Sequence, residues 1–478
     1  MNLGLRYEYL RPFQDKYDKL ANFDIDTDPQ RPALILAGQV GRSNFVDADV
    51  NNFQPRIGLA YQLVPEKLVV RAGYGIYYPL ARFSPFGDSS SILVNPPYNV
   101  AVTTSSDGIT PASLLRNGIP TDQLALRNAQ SVSLASTQRS PAYGYSQQWN
   151  LNLQYQLAGN WMAQVGYFGS KGTHLVNLRD ANYVESLGPG NINQRRRFKS
   201  IRVPLGVSGQ TGPDSEVLVS PLGQVLRQDN AANSIFHSMQ AKVERRFAEG
   251  FTVLASWIWS RGIGDTRGGN PTGQSPGSAF QNPANLREER AVLDTQINHS
   301  FVLSEIWELP YGRTRRFASN LHPVLDAFLG GWSLGGIVTL TTGRPFNITV
   351  NGDPANSGQT NRADLVGDPN AVPGGRSVAQ FFNRAAFQAN RPFTHGNLGR
   401  NAVVGPKFGN VDSSLMKRAT LFKAADHPLD IQFRWEFFNI LNHPNFGFPG
   451  GTIGTPTFGQ LTNAGPGRKM QVGLKLVF

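Results

Sequence analysis

The chain has no cysteine, only 16% of its 478 residues are charged, and no run approaches the ~18 to 20 apolar residues of a membrane-spanning helix. Each shortage excludes something. Without cysteine there is no disulfide framework and no thiolate metal site, which suits a compartment where stray thiols would oxidise. Without a long apolar run, any membrane residence must use strands, because only helices and closed barrels satisfy every backbone group in lipid. The opening MNLGLRYEYL has neither the basic nor the apolar region of a signal peptide. Leu3, Leu5, Tyr7 and Tyr9 alternate there with Gly4, Arg6 and Glu8. The expectation is a chain that starts inside a strand, as a piece of a longer exported protein.

What is abundant is turn-forming and uncharged. The 50 glycines and 32 prolines make up about a sixth of the chain, against ~12% in average usage. The net charge of +12 would permit nucleic-acid binding, so its distribution decides. It is scattered, apart from QRRRFKSIR, where Arg195, Arg196, Arg197, Lys199 and Arg202 cluster without a helix pattern or nucleic-acid motif. A nucleic-acid partner is therefore not expected, and the run reads as a solvated loop.

The organising signal is a period of two. In WNLNLQYQL, Trp149, Leu151, Leu153, Tyr155 and Leu157 point one way from a strand, and Asn150, Asn152, Gln154 and Gln156 the other. Similar alternation recurs at 2–9, 56–63, 68–78, 148–157, 161–169, 236–247, 251–259, 301–309, 332–341, 411–417, 429–437 and 469–478. These are about twelve strands of roughly the length that crosses a bilayer at a tilt.

The connectors choose between architectures. Short turns (PEK, AGN and AEG) rotate with loops of roughly 30 to 65 residues, such as 79–145, 170–235 and 347–410. Soluble domains seldom hold loops longer than ~15 residues, whereas an outer-membrane barrel alternates short periplasmic turns with long external loops. The connector 310–331 is an exception, too long for a tight turn. In the last segment Met470, Val472, Leu474, Leu476 and Phe478 share one face, opposite Lys469, Gln471, Gly473 and Lys475. Lysine costs ~2 to 4 kcal/mol at mid-depth on a lipid face, so the polar face lines the lumen. All seven tryptophans (149, 161, 257, 259, 307, 332, 435) fall in strand segments, as girdle aromatics would. The segment 301–309 fits least well, since Glu305 and Glu308 fall on opposite faces and one carboxylate must sit near a rim. The expected fold is all-β, an antiparallel transmembrane outer-membrane barrel of about twelve strands with long external loops. A sandwich serving as a secreted adhesin or carbohydrate-binding protein, and a passive porin-like channel, are the alternatives.

The stretches YFGSKGTHL (167–175), NPANLREERAVLDTQINHSFVLSEIWELPYG (282–312), GGWSLGGIVTLTTGRPFNI (330–348), NLGRNAVVGPKFGNVDSSLMKR (397–418) and RWEFFNILNHPNFGFP (434–449) resemble the barrel of TonB-dependent receptors, in particular the Oar-like branch. That resemblance implies one receptor-like barrel domain over residues 1–478, forming the later part of a 22-stranded barrel that takes up a ligand. It implies coupling to TonB through a plug domain not seen in this sequence. It also makes Met470, Val472, Leu474, Leu476 and Phe478 an assembly signal for the barrel-assembly machinery. Outer-membrane lipids are the expected surroundings, with lipopolysaccharide phosphates or an anionic ligand as candidate partners of Arg195, Arg196, Arg197 and Lys199.

Enzymatic signals are not found, and no cofactor is expected. The seven histidines lack metal-ligand spacing and read as isolated loop residues. GGNPTGQSPG lacks the Lys-Ser/Thr of a phosphate loop, and GYSQQ and GNVDSS are not nucleophile elbows. DPANSGQTNRAD could offer oxygen ligands to Ca²⁺, but without EF-hand spacing an Asx-rich turn is the stronger expectation.

Overall fold

The computed structural model describes residues 1–9, 12, 14–37, 45–78, 95–98, 132–140, 142–204, 216–265, 280–313, 315–424 and 427–477. Twelve long strands form one antiparallel meander. They are β1 (Asn2–Tyr7), β2 (Phe53–Val64), β3 (Leu68–Tyr77), β4 (Tyr145–Gln156), β5 (Trp161–Asp180) and β6 (Leu222–Ala248). There follow β7 (Phe251–Gly264), β8 (His299–Glu308), β9 (Trp332–Thr341), β10 (Phe408–Ala424), β11 (His427–Phe438) and β12 (Lys469–Val477). Each pairs with its sequence neighbours, and two short strands, Val132–Thr137 and Ala291–Val292, join the same sheet from the loops. All twelve expected strands are present, and every tryptophan lies in one of them.

Register carries the sequence alternation across the sheet. Leu59 faces Ala72, Ala72 faces Leu151, Leu151 faces Tyr167, and Tyr167 faces Met239, so the apolar side chains of successive strands share one face. Opposed residues of an antiparallel pair project to the same side, so the amides and charges of β2–β6 share the other face, which over β7–β9 also carries Leu254, Ile258, Ile306 and Ile337. The tight β6–β7 turn is set by Glu249 (φ 54°) and Gly250 (φ 77°), both left-handed. That is the type I′ geometry whose twist matches the flanking strands.

Burial separates the architectures. The apolar sheet face is open, with Leu3 74%, Leu151 47% and Leu474 67% exposed. A sandwich would bury that face; here the buried apolar clusters lie in the loops and in the part of β6 that extends among them. One joins Phe23, Leu36, Leu134, Phe198, Val203 and Leu222, and another joins Ile348, Phe382, Phe387, Leu398 and Val403. A sheet this wide with an exposed apolar face and a polar reverse suits lipid outside and water within.

Two expectations require correction. The loop 170–235 is shorter than the alternation suggested, because β5 has 20 residues and β6 has 27. At ~3.3 Å per residue these strands run well past a bilayer and stand up on the long-loop side as a paired stalk. The expected boundaries stopped where strict alternation stops, since a stalk that packs against folded loops needs no greasy face. The histidines are not all in loops either: His174, His237, His299 and His427 lie on strands.

Candidate functional site

The polar face of the sheet is built from amides and paired charges. On β4, Asn152 Nδ2 donates to Asn150 Oδ1 at 3.3 Å, and Gln164 Nε2 on β5 donates to Asn152 Oδ1 at 3.3 Å. Arg71 on β3 donates to Gln154. Gly166 makes room for this ladder, because a Cβ there would lie 2.1 Å from Asn152 Oδ1. Farther along, Lys242 pairs with Glu244 at 2.8 Å, and Gln471 donates to Glu436 at 2.9 Å. Such a wall offers hydrogen bonds of both polarities to a passing polar solute.

Above it, three buried ion networks tie the long loops into a cap. Asp180, at the end of β5, accepts from Arg196 Nη1 at 2.8 Å and from Gln359 Nε2 at 3.0 Å, while its other oxygen accepts the backbone N–H groups of Asn182 and Val225. Arg227 on the β6 stalk bridges Asp26 at 2.6 Å and Asp229 at 3.7 Å, and Arg179 reaches Asp229 at 2.8 Å. Glu289 accepts from Arg362 at 2.8 Å, and Arg400 lies 4.0 Å from Glu289 and 3.5 Å from Asp294. Desolvated pairs of this kind add little net stability, but leaving one partner alone is costly, so they specify one arrangement of the loops. The fold thus holds the loops rigidly over the polar wall.

At the opposite end, near the turns, a cavity of about 850 Å³ is lined by Glu308, Arg315, Arg418, Asp430, Gln432 and Arg434 among others. Glu308 pairs with Arg315 at 2.9 Å, so the long connector 310–331 reaches back to the polar face. Glu305 takes the other face, beside Trp307 in alternation, with its side chain lying over Gly336.

The basic run is less solvated than its sequence suggests. Arg195 ends a one-turn helix and donates to the Ser186 and Asn356 carbonyls at 2.8 and 2.9 Å. Arg196 is buried, 7% exposed, and committed to Asp180. Arg197 stacks on Phe198, and Lys199 is exposed. Burial of Arg196 follows from the fixed anion of Asp180 beneath it, which composition cannot reveal. Met470, Val472, Leu474 and Leu476 are 54–67% exposed on the outer edge of the sheet; Phe478 lies outside the described residues.

Among the described residues no group of three His, Asp or Glu side chains could hold a metal ion. Asp353 instead accepts from Gly358 N, Asn361 Nδ2 and Ser357 Oγ and so ties this turn together through its own hydrogen bonds. Sequence reasoning missed the cap ions. Glu289 and Arg400 fall within stretches that carry the family resemblance, but no local pattern marks them as partners.

A family model described as an outer membrane beta barrel domain matches residues 1–471. No curated protein matches the chain. Among solved structures, the outer membrane transporter YddB from Escherichia coli aligns at a TM-score of 0.44 and 9% identity, over 89% of this chain and 41% of its own. The FrpB iron transporter from Neisseria meningitidis (F3-3 variant) gives 0.37 and 12%, over 88% and 39%. The siderophore receptor PirA from Acinetobacter baumannii gives 0.41 and 10%, over 90% and 41%. The chain spans about two fifths of the length of these three proteins.

Proposed function

Because the chain belongs to the outer membrane beta-barrel family and resides in the outer membrane, we propose that it forms the wall and loop cap of a TonB-dependent, Oar-like transporter. The observation that carries this is the union of an ion-locked cap with the amide ladder of β4 and β5 beneath it. The cap receives a ligand, and the amide-rich wall carries it inward without a dry barrier. TonB supplies energy through a plug domain that moves within the lumen. The chain does no bond chemistry. The exposed cation Lys199, beside Arg195 and Arg197, is placed to meet anionic groups at the cell surface, whether ligand or lipopolysaccharide, while Arg196 acts from below by holding the loop. The row Met470, Val472, Leu474 and Leu476, with the terminal Phe478, serves as the strand that the barrel-assembly machinery reads.

A single cysteine at Gln240, exposed on the polar face of β6, tests the transport mode in intact cells. Faster labelling by an impermeant maleimide in energised cells than in cells lacking TonB or treated with a protonophore supports coupled transport. Labelling that ignores both TonB and energy favours a passive channel instead.

A further inference from the structure

The apolar sheet face, which meets lipid, carries a cluster of cationic and hydrogen-bonding groups that transport does not use. Lys171 on β5, His237 on β6, Arg261 on β7 and His299 on β8 are all exposed on this face. Register brings them together. His237 stands directly opposite Arg261, His299 directly opposite Trp259, and Lys171 opposite Ile235, one outward-pointing position from His237.

Their height is fixed by the strands. Lys171 lies ten residues beyond Trp161, Arg261 ten beyond Phe251, and His299 eight from Trp307, each measured from the short-turn end of its strand. A tilted strand crosses hydrocarbon in ~9 to 11 residues. The cluster therefore sits where the outer leaflet's headgroups begin: His237 and Arg261 share a cross-strand row with Trp149, His299 shares the next with Tyr167 and Met239, and Lys171 lies one outward-pointing row beyond His237.

The aromatic groups aim it. Trp149 lies across Gly169, where a Cβ would fall 2.2 Å from its ring, and its Nε1 donates to Tyr167 Oη at 3.4 Å. Tyr167 Oη is 2.7 Å from His237 Nδ1, and the two rings stack with an interplanar angle of 14°. When Nδ1 accepts the phenol's proton, the neutral imidazole carries its own proton on Nε2. That N–H and the Arg261 guanidinium then form adjacent donors, with Lys171 adding charge.

We propose that Lys171, His237 and Arg261 bind the phosphate of a phosphorylated glycolipid of the outer leaflet, whose acyl chains lie along the apolar face below. Guanidinium–phosphate hydrogen bonds are charge-assisted and stronger than neutral ones. Beside the low-dielectric membrane they are screened less than in water. An acyl chain has its own surface in Leu151, Leu153, Val165 and Met239, exposed on the same face. The assignment rests on the barrel orientation and is independent of what the lumen carries.

The test uses the whole chain refolded in detergent, with diphosphoryl lipid A as the probe and native mass spectrometry as the readout. The double variant Arg261→Gln with His237→Gln should bind lipid A at least about tenfold more weakly, as expected for losing hydrogen bonds to a charged group. Lys475→Gln, on the polar face, should bind it unchanged. Equal binding by the double variant and the parent overturns the site. So does equal binding of dephosphorylated lipid A, which would show apolar contact alone, and so does inorganic phosphate displacing the lipid fully, which would reassign the groups to a free anion. Heat-modifiable migration reports separately on the barrel, so a chain that fails to form one indicts the fold rather than the site. Arg261→Gln alone leaves the indole–phenol–imidazole chain intact and carries the test if the double variant does not assemble.

Discussion

Glu289 and Arg362, 73 residues apart in sequence, meet in a buried ion pair at 2.8 Å, with side chains 1% and 6% exposed. The pair joins the loop after β7 to the loop after β9, next to the short strand Ala291–Val292 that pairs with the end of β7. Glu289→Ala removes the carboxylate partner of the buried Arg362 guanidinium and the longer of two carboxylate contacts of Arg400, which keeps Asp294. Removing one partner of a buried pair costs ~3 to 5 kcal/mol, and the loss should stay local because the cap has its own apolar cluster. Hydrogen exchange should therefore quicken across 281–298 and 348–404 while β4 and β5 keep their protection. Uniform loosening of sheet and cap would contradict a separately folded cap.

The cap should also weaken in acid through His395. Its Nδ1 is buried without a hydrogen-bond partner. Burial holds the imidazole below its ordinary value; Glu288, Asp353 and Glu289 pull the other way, and Arg362 adds to the depression. An unfolded loop takes up the proton first, at about pH 6.5. Stability is thus fully present above that value and falls as pH drops from there through the depressed folded value. Loop exchange measured at pH 7.5 and at pH 5 should show this slope, and His395→Gln should flatten it.

Gly169 has a single structural duty, to seat the Trp149 indole. Gly169→Val should evict that ring and cost ~1 to 3 kcal/mol, the usual range for overpacking. Lowered thermal unfolding with the barrel still heat-modifiable is the expected outcome; an unchanged midpoint would mean that the indole is not held there.

The two faces should differ in their tolerance of charge. Leu153→Arg places a guanidinium on the apolar face near mid-strand, at ~2 to 4 kcal/mol, whereas Gln240→Arg, at an exposed position of the polar face, points into water and should cost little. Equilibrium unfolding in lipid vesicles separates the two.

The sheet was legible in the sequence because the lipid and the lumen impose opposite demands on alternate residues, as Leu151 and Asn152 show. Legibility ended where that contrast ended. The upper halves of β5 and β6 pack against folded loops, so their residues obey local packing, and the strands were read as too short. Arg196 looked like one more loop cation until Asp180 appeared beneath it, and Glu289 found its partner only through the fold. His237 shows the same limit from the membrane side: nothing near it in sequence announces Tyr167 and Arg261, which register alone supplies.

The central claim is that odd-numbered residues of β4 face lipid and even-numbered ones face a water-filled lumen. The chain has no native cysteine, so single cysteines at 150 through 156 can each be spin-labelled without background and the protein reconstituted in vesicles. Labels at 151, 153 and 155 should be relaxed by oxygen, which concentrates in hydrocarbon, and labels at 150, 152 and 154 by a water-soluble nickel complex. A period of two in that ratio is the predicted result; nickel access at every position, or a chain that stays soluble without detergent or lipid, would contradict the barrel.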